Sequence, residues 1–256
     1  MGVGDRPCLK LYFSRMAWKN VEKILPCRGN YVFLRKNSDQ GMNKHEKYVI
    51  TINREMGSGG RTVGEKVAER LGVKFYDKAL LKALQEKYGL SAEEIERMKG
   101  RNHSWWADFN RIVTAGYAMS QSFYRNGLFI EPDLLTTDEM FNTECEILTG
   151  IAESESCVIA GRSGFYVFRN HPNRLSILIQ ASMECRIARL MAKRNISRDE
   201  AAERIAHVDK MRENYVQRYT GTSRYDTRNY DLVISMDGKT EDEAADLILQ
   251  YIGNND

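Results

Sequence analysis

A short glycine-rich segment, MGSGGRT, contains the residue types in this chain that are best suited to bind a ligand. Its glycines, at positions 57, 59 and 60, let the backbone turn tightly and bring its N–H groups close to a bound group. Arg61 and Thr62 follow them directly and supply a permanent cation and a hydroxyl. Backbone N–H donors and a guanidinium together suit the binding of phosphate. The segment therefore predicts a phosphate-binding loop.

The elements on either side of the segment would position it for that task. Residues 48–53 form a short β-branched apolar run, which is typical of a buried parallel strand. Apolar residues then recur at helical spacing at Val63, Val67, Ala68 and Leu71. A helix that begins directly behind the glycines directs its free N–H groups and the positive end of its dipole into the loop. The strand–loop–helix order supports phosphate binding.

The segment departs from the usual phosphate-loop pattern, G-x-x-x-x-G-K-[ST]. Arg54 stands at the first glycine position, and Gly60 replaces the lysine that normally reaches the β- and γ-phosphates. Arg61 replaces the metal-binding hydroxyl residue, so the cation has moved one residue along, and Thr62 follows it as a hydroxyl. The alternative interpretation is a glycine-rich strand–helix turn that binds no ligand.

Length and composition limit the class of protein. A chain of 256 residues can bury a full core, as one large domain or two small ones. No apolar run approaches the ~18 residues of a membrane span, so we expect no membrane contact. The five cysteines are scattered, which is typical of reduced thiols in a cytoplasmic protein. The four histidines are equally isolated, so we expect no zinc site.

The first forty residues differ from the remainder in charge. They carry eight Lys/Arg against three Asp/Glu, whereas the rest of the chain is slightly acidic, so the basic pI does not indicate nucleic-acid binding. This segment lacks the apolar core and cleavage site of a secretory signal and shows no clear periodicity. We expect residues 1–41 to be an N-terminal extension, disordered or upstream of a native start at Met42. An import presequence is the alternative. Residues 42–256 would then form the domain.

From residue 48 onward, short apolar runs alternate with helical stretches, as in a parallel sheet with helices on both faces. Strands are predicted at 48–53, 73–77, 156–160, 175–180 and 231–235. Helices are predicted at 136–155, from 182, from 197 to about 219, and after 240, with capping boxes at 91–94, 197–200 and 240–243. We expect an α/β fold of the P-loop kinase type, a five-stranded parallel sheet with a lid and a helical acceptor insertion at 100–135. The aromatic residues of that insertion indicate core packing more than base stacking.

Further charged residues follow the predicted strands. Arg162 comes after the third strand, at the carboxyl end of the sheet, where open α/β folds bind ligands. Asp77 ends the second strand and either binds a substrate amine or hydroxyl or caps the next helix. Arg186, Arg189 and Lys193 share one face of the helix after the fourth strand, and a solvated face is the alternative for them.

The later helix carries Lys210, Arg212 and Arg218, before a Gly-containing stretch at 220–229. Asp209 on the same helix either orients a neighbouring arginine or pairs with Arg212 one turn away.

These segments resemble the cytidylate kinase-like family, a divergent branch of the nucleoside monophosphate kinases. ITINREMGSGGRTVGEKVAERLGVKFYDK is similar to its phosphate loop and second strand, and SCVIAGRSGFYVFR to its third strand and following turn. ASMECRIARLM resembles the helix entering the lid, and DKMRENY with YDLVIS resembles the lid helix and last strand. The similarity spans about residues 48–252 and is specific in the first two motifs.

The resemblance implies transfer of the γ-phosphoryl of ATP, with Mg²⁺, to a nucleoside monophosphate, with CMP or dCMP as the first candidate. It implies acceptor contacts from Asp77 and Arg162, with Arg189 and Arg212 acting from the lid. Arg61 would stabilise the transferring group and Thr62 would bind the metal. The residues implied for the donor phosphates are Gly57, Ser58, Gly59, Gly60, Arg61 and Thr62.

Two departures from the cytidylate kinases keep other functions open. Their DGRD motif is replaced by AGRS at 160–163, which removes two carboxylates, and the loop lysine is absent. The alternatives are a nucleotide sensor that has lost the chemistry and a kinase for another small metabolite. A nucleic-acid-binding module is a more distant third, and the oligomeric state stays open.

Overall fold

The computed structural model of the chain describes residues 42–77 and 138–253, the backbone of two strands between residues 21 and 35, and isolated positions between 93 and 114. The predicted capping box at 91–94 and helical insertion at 100–135 therefore lie outside the fully described residues. Within the described part, no helix combines the length and the apolar character needed to cross a membrane.

One sheet contains seven strands in the order β1-β2-β7-β6-β3-β5-β4. They are β1 (Val21–Cys27), β2 (Asn30–Arg35), β3 (Val49–Arg54), β4 (Lys74–Tyr76), β5 (Cys157–Ala160), β6 (Arg174–Gln180) and β7 (Leu232–Ser235). The strands from β3 to β7 pair in parallel with their neighbours. This confirms the predicted five-stranded parallel sheet.

Two antiparallel strands extend that sheet at the β7 edge. β1 pairs with β2, and β2 pairs with β7 through Phe33 opposite Val233 and Leu34 opposite Leu232. The structure differs here from the expectation of an N-terminal extension without regular structure. Backbone hydrogen bonds can hold an edge strand without a strict apolar alternation, so periodicity gave no sign of it. The division of the chain at Met42 stays a prediction.

Six α-helices surround the sheet in the described part of the chain. They are α1 (Gly60–Leu71), α2 (Asp138–Ser154), α3 (Gly164–Val167), α4 (Met183–Arg194), α5 (Arg198–Thr220) and α6 (Glu241–Gly253). Ser182 caps α4 and Ser197 caps α5 by accepting a backbone N–H three residues on. Before α6, Thr240 and Glu243 exchange hydrogen bonds in a complete capping box. The described caps confirm the predicted helix starts.

The largest core cluster packs α1 and α6 against one face of the sheet, with Ile50, Ile52 and Ile177 fully buried at its centre. Smaller clusters lie between α4 and α5 and around Tyr230. β3 lies between β5 and β6. The strands that follow it in the chain lie on both of its sides, β4 and β5 on one side and β6 and β7 on the other. The crevice at the carboxyl ends of β3, β5 and β6 is the switch point where open α/β sheets bind ligands.

We expect a chain that begins at Met42 to fold, with a melting temperature within a few degrees of the full chain, and to keep the nucleotide binding that the resemblance implies. Met42 is buried in the core, and the Asn173 side chain bonds the backbone of Asn43 and Lys47. A matched chain that begins at Tyr48 loses these contacts and should melt about 10 °C lower. Calorimetric unfolding measures both. If the chain from Met42 were insoluble, or if the two shortened chains had the same melting temperature, the placement of the domain start at Met42 would be wrong.

Candidate phosphate-binding site

The connection between β3 and α1 forms a cradle that only glycine allows. Gly57 and Gly59 have φ values of 82° and 83°, in the left-handed region that disfavours side chains. A methyl group on Gly57 would lie 2.8 Å from the Arg186 carbonyl oxygen, and one on Gly59 would overlap the Arg189 guanidinium. Gly59 is also the N-cap of α1 and supplies no side-chain cap. The helix therefore presents its N-terminus to the loop, as an anion site requires.

The lysine position of the motif is closed in this structure. A methyl group on Gly60 would lie 2.6 Å from Cβ of Arg54 and 3.1 Å from Cβ of Ile179. Backbone and β-carbons cannot move aside as the end of a long side chain can. The absence of a lysine at this position therefore has a steric cause.

We expect Gly60→Lys to give no gain in phosphoryl transfer and to lower the free energy of unfolding by about 1–3 kcal/mol, the usual effect of overpacking. Gly253→Lys is the matched control, because a Cβ there meets nothing within 4 Å. Thermal unfolding and ADP formation measure the two effects. A Gly60→Lys variant that melts as the wild type and turns over faster would show that the loop accepts the lysine.

Asp209 on α5 links the lid helices to the phosphate loop. Its carboxylate accepts the backbone N–H of Met56 at 2.9 Å, within the loop itself. It also forms ion pairs with Arg186 of α4 and, at 3.4 Å and 3.8 Å, with Arg224 and Arg212. Three guanidinium groups thus share one buried carboxylate. Both contacts that the sequence left open for Asp209 are therefore present: it contacts arginines from other elements, and it pairs with Arg212 one turn along the helix.

The guanidinium groups of Arg212 and Arg224 also hold the end of β3. Both donate to the carbonyl oxygen of Arg54, from Arg212 at 3.3 Å. Arg224 is fully buried, although it lies in the Gly-containing stretch after α5 and was not itself predicted as a site residue. Desolvation and the nearby guanidiniums of Arg54 and Arg224 hold the pKa of Arg212 well below its usual range. Burial is the first cause of this lowered pKa, and repulsion by the two neighbouring cations at the carboxyl end of β3 adds to it.

Arg189, which the resemblance places in the lid, lies beneath the loop. It donates to the backbone oxygen of Ser58 at 2.9 Å and to that of Lys239 at 2.7 Å, and it pairs with Glu241 at the start of α6. These contacts join α4, the loop and α6. Its catalytic role stays a prediction, and its visible contacts are those of a residue that positions the loop.

Arg61 and Asp77 lie together on the side of the loop nearest β4. Arg61 Nε donates to the Asp77 carboxylate at 3.1 Å, and its Nη1 pairs with Glu65 at 2.6 Å. The guanidinium also lies over the Phe75 ring. The structure therefore joins the expected donor-side cation to the expected acceptor residue. Thr62, the expected metal ligand, follows in the first turn of α1.

The turn after β5 combines strain with a buried charge. Gly161, Arg162 and Ser163 have φ values of 79°, 54° and 52°, an unfavourable region for the last two. The Arg162 guanidinium pairs with the buried Glu144 of α2 and stacks on Tyr215 of α5. Tyr215 donates to the same carboxylate at 2.8 Å, and burial raises its pKa. Backbone strain of this kind is concentrated at functional sites.

Two members of this site, Glu144 and Arg224, were not predicted from the sequence. Glu144 had a detectable signal, because it lies among buried apolar residues on the inner face of its helix. Arg224 had none, since it follows the helix and belongs to no periodic pattern. Lys193 and Lys210 are exposed, so the solvated-face alternative holds for these two lysines.

The strand order, the glycine loop at a helix N-terminus and the surrounding cations define a P-loop protein of the kinase-like, nucleotide-binding class. Comparison with known families makes the assignment specific. The chain belongs to the cytidylate kinase-like family, whose sequence profile matches residues 49–238. The resemblance inferred from the sequence is thereby confirmed.

Individual relatives are distant. An S-adenosylmethionine-dependent nucleotide dehydratase of Lacinutrix mariniflava is 26% identical over 208 residues, covering 80% of this chain and 36% of that protein. A cytidylate kinase of Sulfolobus acidocaldarius is 28% identical over 109 residues, covering 43% of this chain and 59% of that one. The chain thus spans about a third of the length of the dehydratase and under two thirds of the length of the cytidylate kinase. An uncharacterized protein from Eubacterium ventriosum shares the fold, with a TM-score of 0.56, 24% identity and coverage of 80% and 98%.

Proposed function

We propose that this protein transfers the γ-phosphoryl group of ATP to a nucleoside monophosphate, with CMP or dCMP as the first candidate. The observation that carries the proposal is the convergence of Arg186, Arg212 and Arg224 on the Asp209 carboxylate beside the phosphate loop. Phosphoryl transfer requires mainly positioning and positive charge around the moving group, and this cluster supplies both.

The contacts of the Asp209 carboxylate support an anion-binding role for the cluster. It accepts one loop N–H and the hydrogen bonds of guanidinium groups, the same donors that bind phosphate oxygens in P-loop proteins. Arg212 and Arg224 lie together at the end of β3, and such a group of cations favours a polyanion placed next to it. A nucleoside triphosphate in the cradle would bring that charge.

Magnesium would enter with the nucleotide. No group of three or more acidic, histidine or cysteine side chains that could hold a metal was found among the described residues. Mg²⁺ is usually held by one or two protein oxygens together with substrate phosphates. The Thr62 hydroxyl, in the first turn of α1, is the protein ligand that we propose. When bound, the ion neutralises charge on the β- and γ-phosphate oxygens.

The acceptor would lie between β4 and β5, beside Asp77 and Arg162. The names of two relatives, a cytidylate kinase and a nucleotide dehydratase, both refer to nucleotide chemistry and support a nucleotide acceptor. Closure by α4 and α5 would exclude water, which otherwise competes as acceptor. We propose a cytoplasmic location and a small-molecule substrate, with no nucleic-acid or membrane partner.

A second candidate is a nucleotide-binding sensor of the same fold. The observation that favours it is the closed lysine position at Gly60, which removes a residue that most P-loop kinases use. The same binding site would then serve recognition without transfer. A kinase for another small metabolite is also consistent with the lost acceptor carboxylates at 160 and 163.

We expect Arg162→Lys to raise the Michaelis constant for the acceptor about 10- to 100-fold and to change that for ATP little. Lysine keeps a positive charge beside Glu144 but cannot bind a phosphate through two parallel hydrogen bonds, as arginine can. Arg169→Lys, at an exposed arginine of the next helix end, is the matched control. Steady-state kinetics with varied CMP and varied ATP separate the effects. A larger change for ATP would place Arg162 on the donor side.

A further inference from the structure

Arg54, at the first glycine position of the motif, has its backbone fixed on both sides. Its N–H donates to the Asn53 side-chain oxygen at 3.0 Å. Its carbonyl oxygen accepts from Arg212 and Arg224. These contacts, together with the parallel pairing to Ile179 of β6, set the direction in which the Arg54 side chain leaves the strand.

The path of that side chain is marked by two glycines. A methyl group on Gly60 would lie 2.6 Å from Cβ of Arg54 and 3.3 Å from its Cγ. A methyl group on Gly161, at the end of β5, would overlap Nη1 of the Arg54 guanidinium. The side chain therefore begins where the motif lysine would stand and ends at the turn that carries Arg162.

We propose that the Arg54 guanidinium replaces the missing loop lysine and contacts the phosphoryl group as it moves from donor to acceptor. The proposal rests on the proposed function and names the residue that supplies its central charge. Arg54 spans the gap between the donor loop and the acceptor turn, whereas the Arg61 guanidinium lies on the β4 side of the loop, beside Asp77 and Glu65. Glycine at 60 and at 161 leaves room for it.

In the transfer itself, the bond between the γ-phosphorus and the β-phosphate oxygen breaks as a bond forms to an oxygen of the acceptor phosphate. ADP leaves with the bridging oxygen. Arg54 donates hydrogen bonds to the non-bridging oxygens and neither gains nor loses a proton, because a guanidinium stays charged throughout. Its contribution is larger in the transition state than in the ground state, which raises turnover.

Calorimetric titration of ADP with Mg²⁺, with and without aluminium fluoride, tests the inference without an acceptor, because the fluoride complex mimics the moving group. We expect fluoride to tighten ADP binding by the wild type about 100-fold, at the low end for transition-state analogues. Arg54→Met should lose most of this gain while binding ADP alone within about 3-fold, and Arg54→Lys should keep part of it. Arg61→Met should lose less of the fluoride gain than Arg54→Met.

Two glycine variants make the same test without changing Arg54 itself. Gly161→Ala should displace the Arg54 guanidinium. Gly221→Ala is the control, because Gly221 has a similar left-handed φ (67°, against 79° for Gly161) but a Cβ there meets nothing within 4 Å. We expect the fluoride gain to fall in Gly161→Ala and to persist in Gly221→Ala.

The outcomes separate the inference from the proposed function. A wild-type chain that binds no ADP overturns both. A wild-type chain that shows the fluoride gain, with Arg54→Met unchanged or Arg61→Met more affected, overturns the role of Arg54 and leaves phosphoryl transfer standing. A wild-type chain that binds ADP with no gain from fluoride overturns the role of Arg54 and favours the sensor.

Discussion

Asp209→Asn should lower the free energy of unfolding by about 3–5 kcal/mol, the usual cost of removing one partner of a buried ion pair. The carboxylate is 7% exposed and receives contacts from three guanidinium groups and the Met56 N–H. Asparagine keeps the shape and one acceptor oxygen but leaves the guanidinium charges facing one another. The expected loss is therefore electrostatic and should be relieved by an anion.

The same variant should be rescued by a polyanion more strongly than the wild type. With the carboxylate charge removed, pyrophosphate or ATP becomes the neutralising group, so its stabilisation of the folded state should increase. Thermal unfolding with and without pyrophosphate measures both effects. Asp242→Asn, at an exposed carboxylate paired with Lys66 and Arg70, is the control and should change neither. If pyrophosphate stabilised the wild type and Asp209→Asn equally, the arginines around Asp209 would not be part of the phosphate-binding site.

Arg212→Met should reduce turnover by about 100- to 1,000-fold, the range for removing one preorganised donor from a charge-stabilising site. The Arg212 guanidinium lies against the carbonyl oxygen of Arg54, and desolvation together with the neighbouring guanidiniums holds its pKa low. Such a group should bind a transferring phosphoryl more strongly as its charge spreads over the equatorial oxygens. Methionine keeps much of the side-chain volume, so folding should be affected less than turnover.

The matched control is Arg218→Met on the same helix. Arg218 is 61% exposed and pairs with the exposed Asp138, so its loss should leave turnover within about 2-fold. Steady-state kinetics with saturating CMP and varied ATP compare the variants. If Arg212→Met changed the ATP Michaelis constant alone, its contribution would be to ground-state binding, and the predicted role in catalysis would be wrong.

The sheet and the loop were predictable because their signals are local. Buried parallel strands are continuous apolar runs, so each of the five strands was placed within about two residues of its observed bounds. The caps at Ser197 and Thr240 involve residues close together in the sequence and were predicted for the same reason. The glycines of the loop are required by φ values that side chains avoid.

The partners of the arginines were not predictable because they come from distant parts of the chain. Arg162 meets Glu144 and Tyr215, and Arg189 meets Lys239 and Glu241, through packing that no spacing rule contains. The sequence placed Arg162 after the third strand and Arg189 on the helix after the fourth, but it contains no signal for the direction of either side chain. The antiparallel strands β1 and β2 were missed because their pairing depends on the β7 edge.

Formation of ADP in the presence of Mg²⁺-ATP and a panel of acceptors tests the central claim most directly. The panel contains CMP, dCMP, the other nucleoside monophosphates and small hydroxylated metabolites, with acceptor-free and Arg212→Met reactions as controls. The proposed function predicts ADP formation that depends on a nucleoside monophosphate, greatest with CMP or dCMP, and matched by an equal amount of the nucleoside diphosphate. ADP formation with none of the nucleoside monophosphates, while Mg²⁺-ATP still binds, would contradict it.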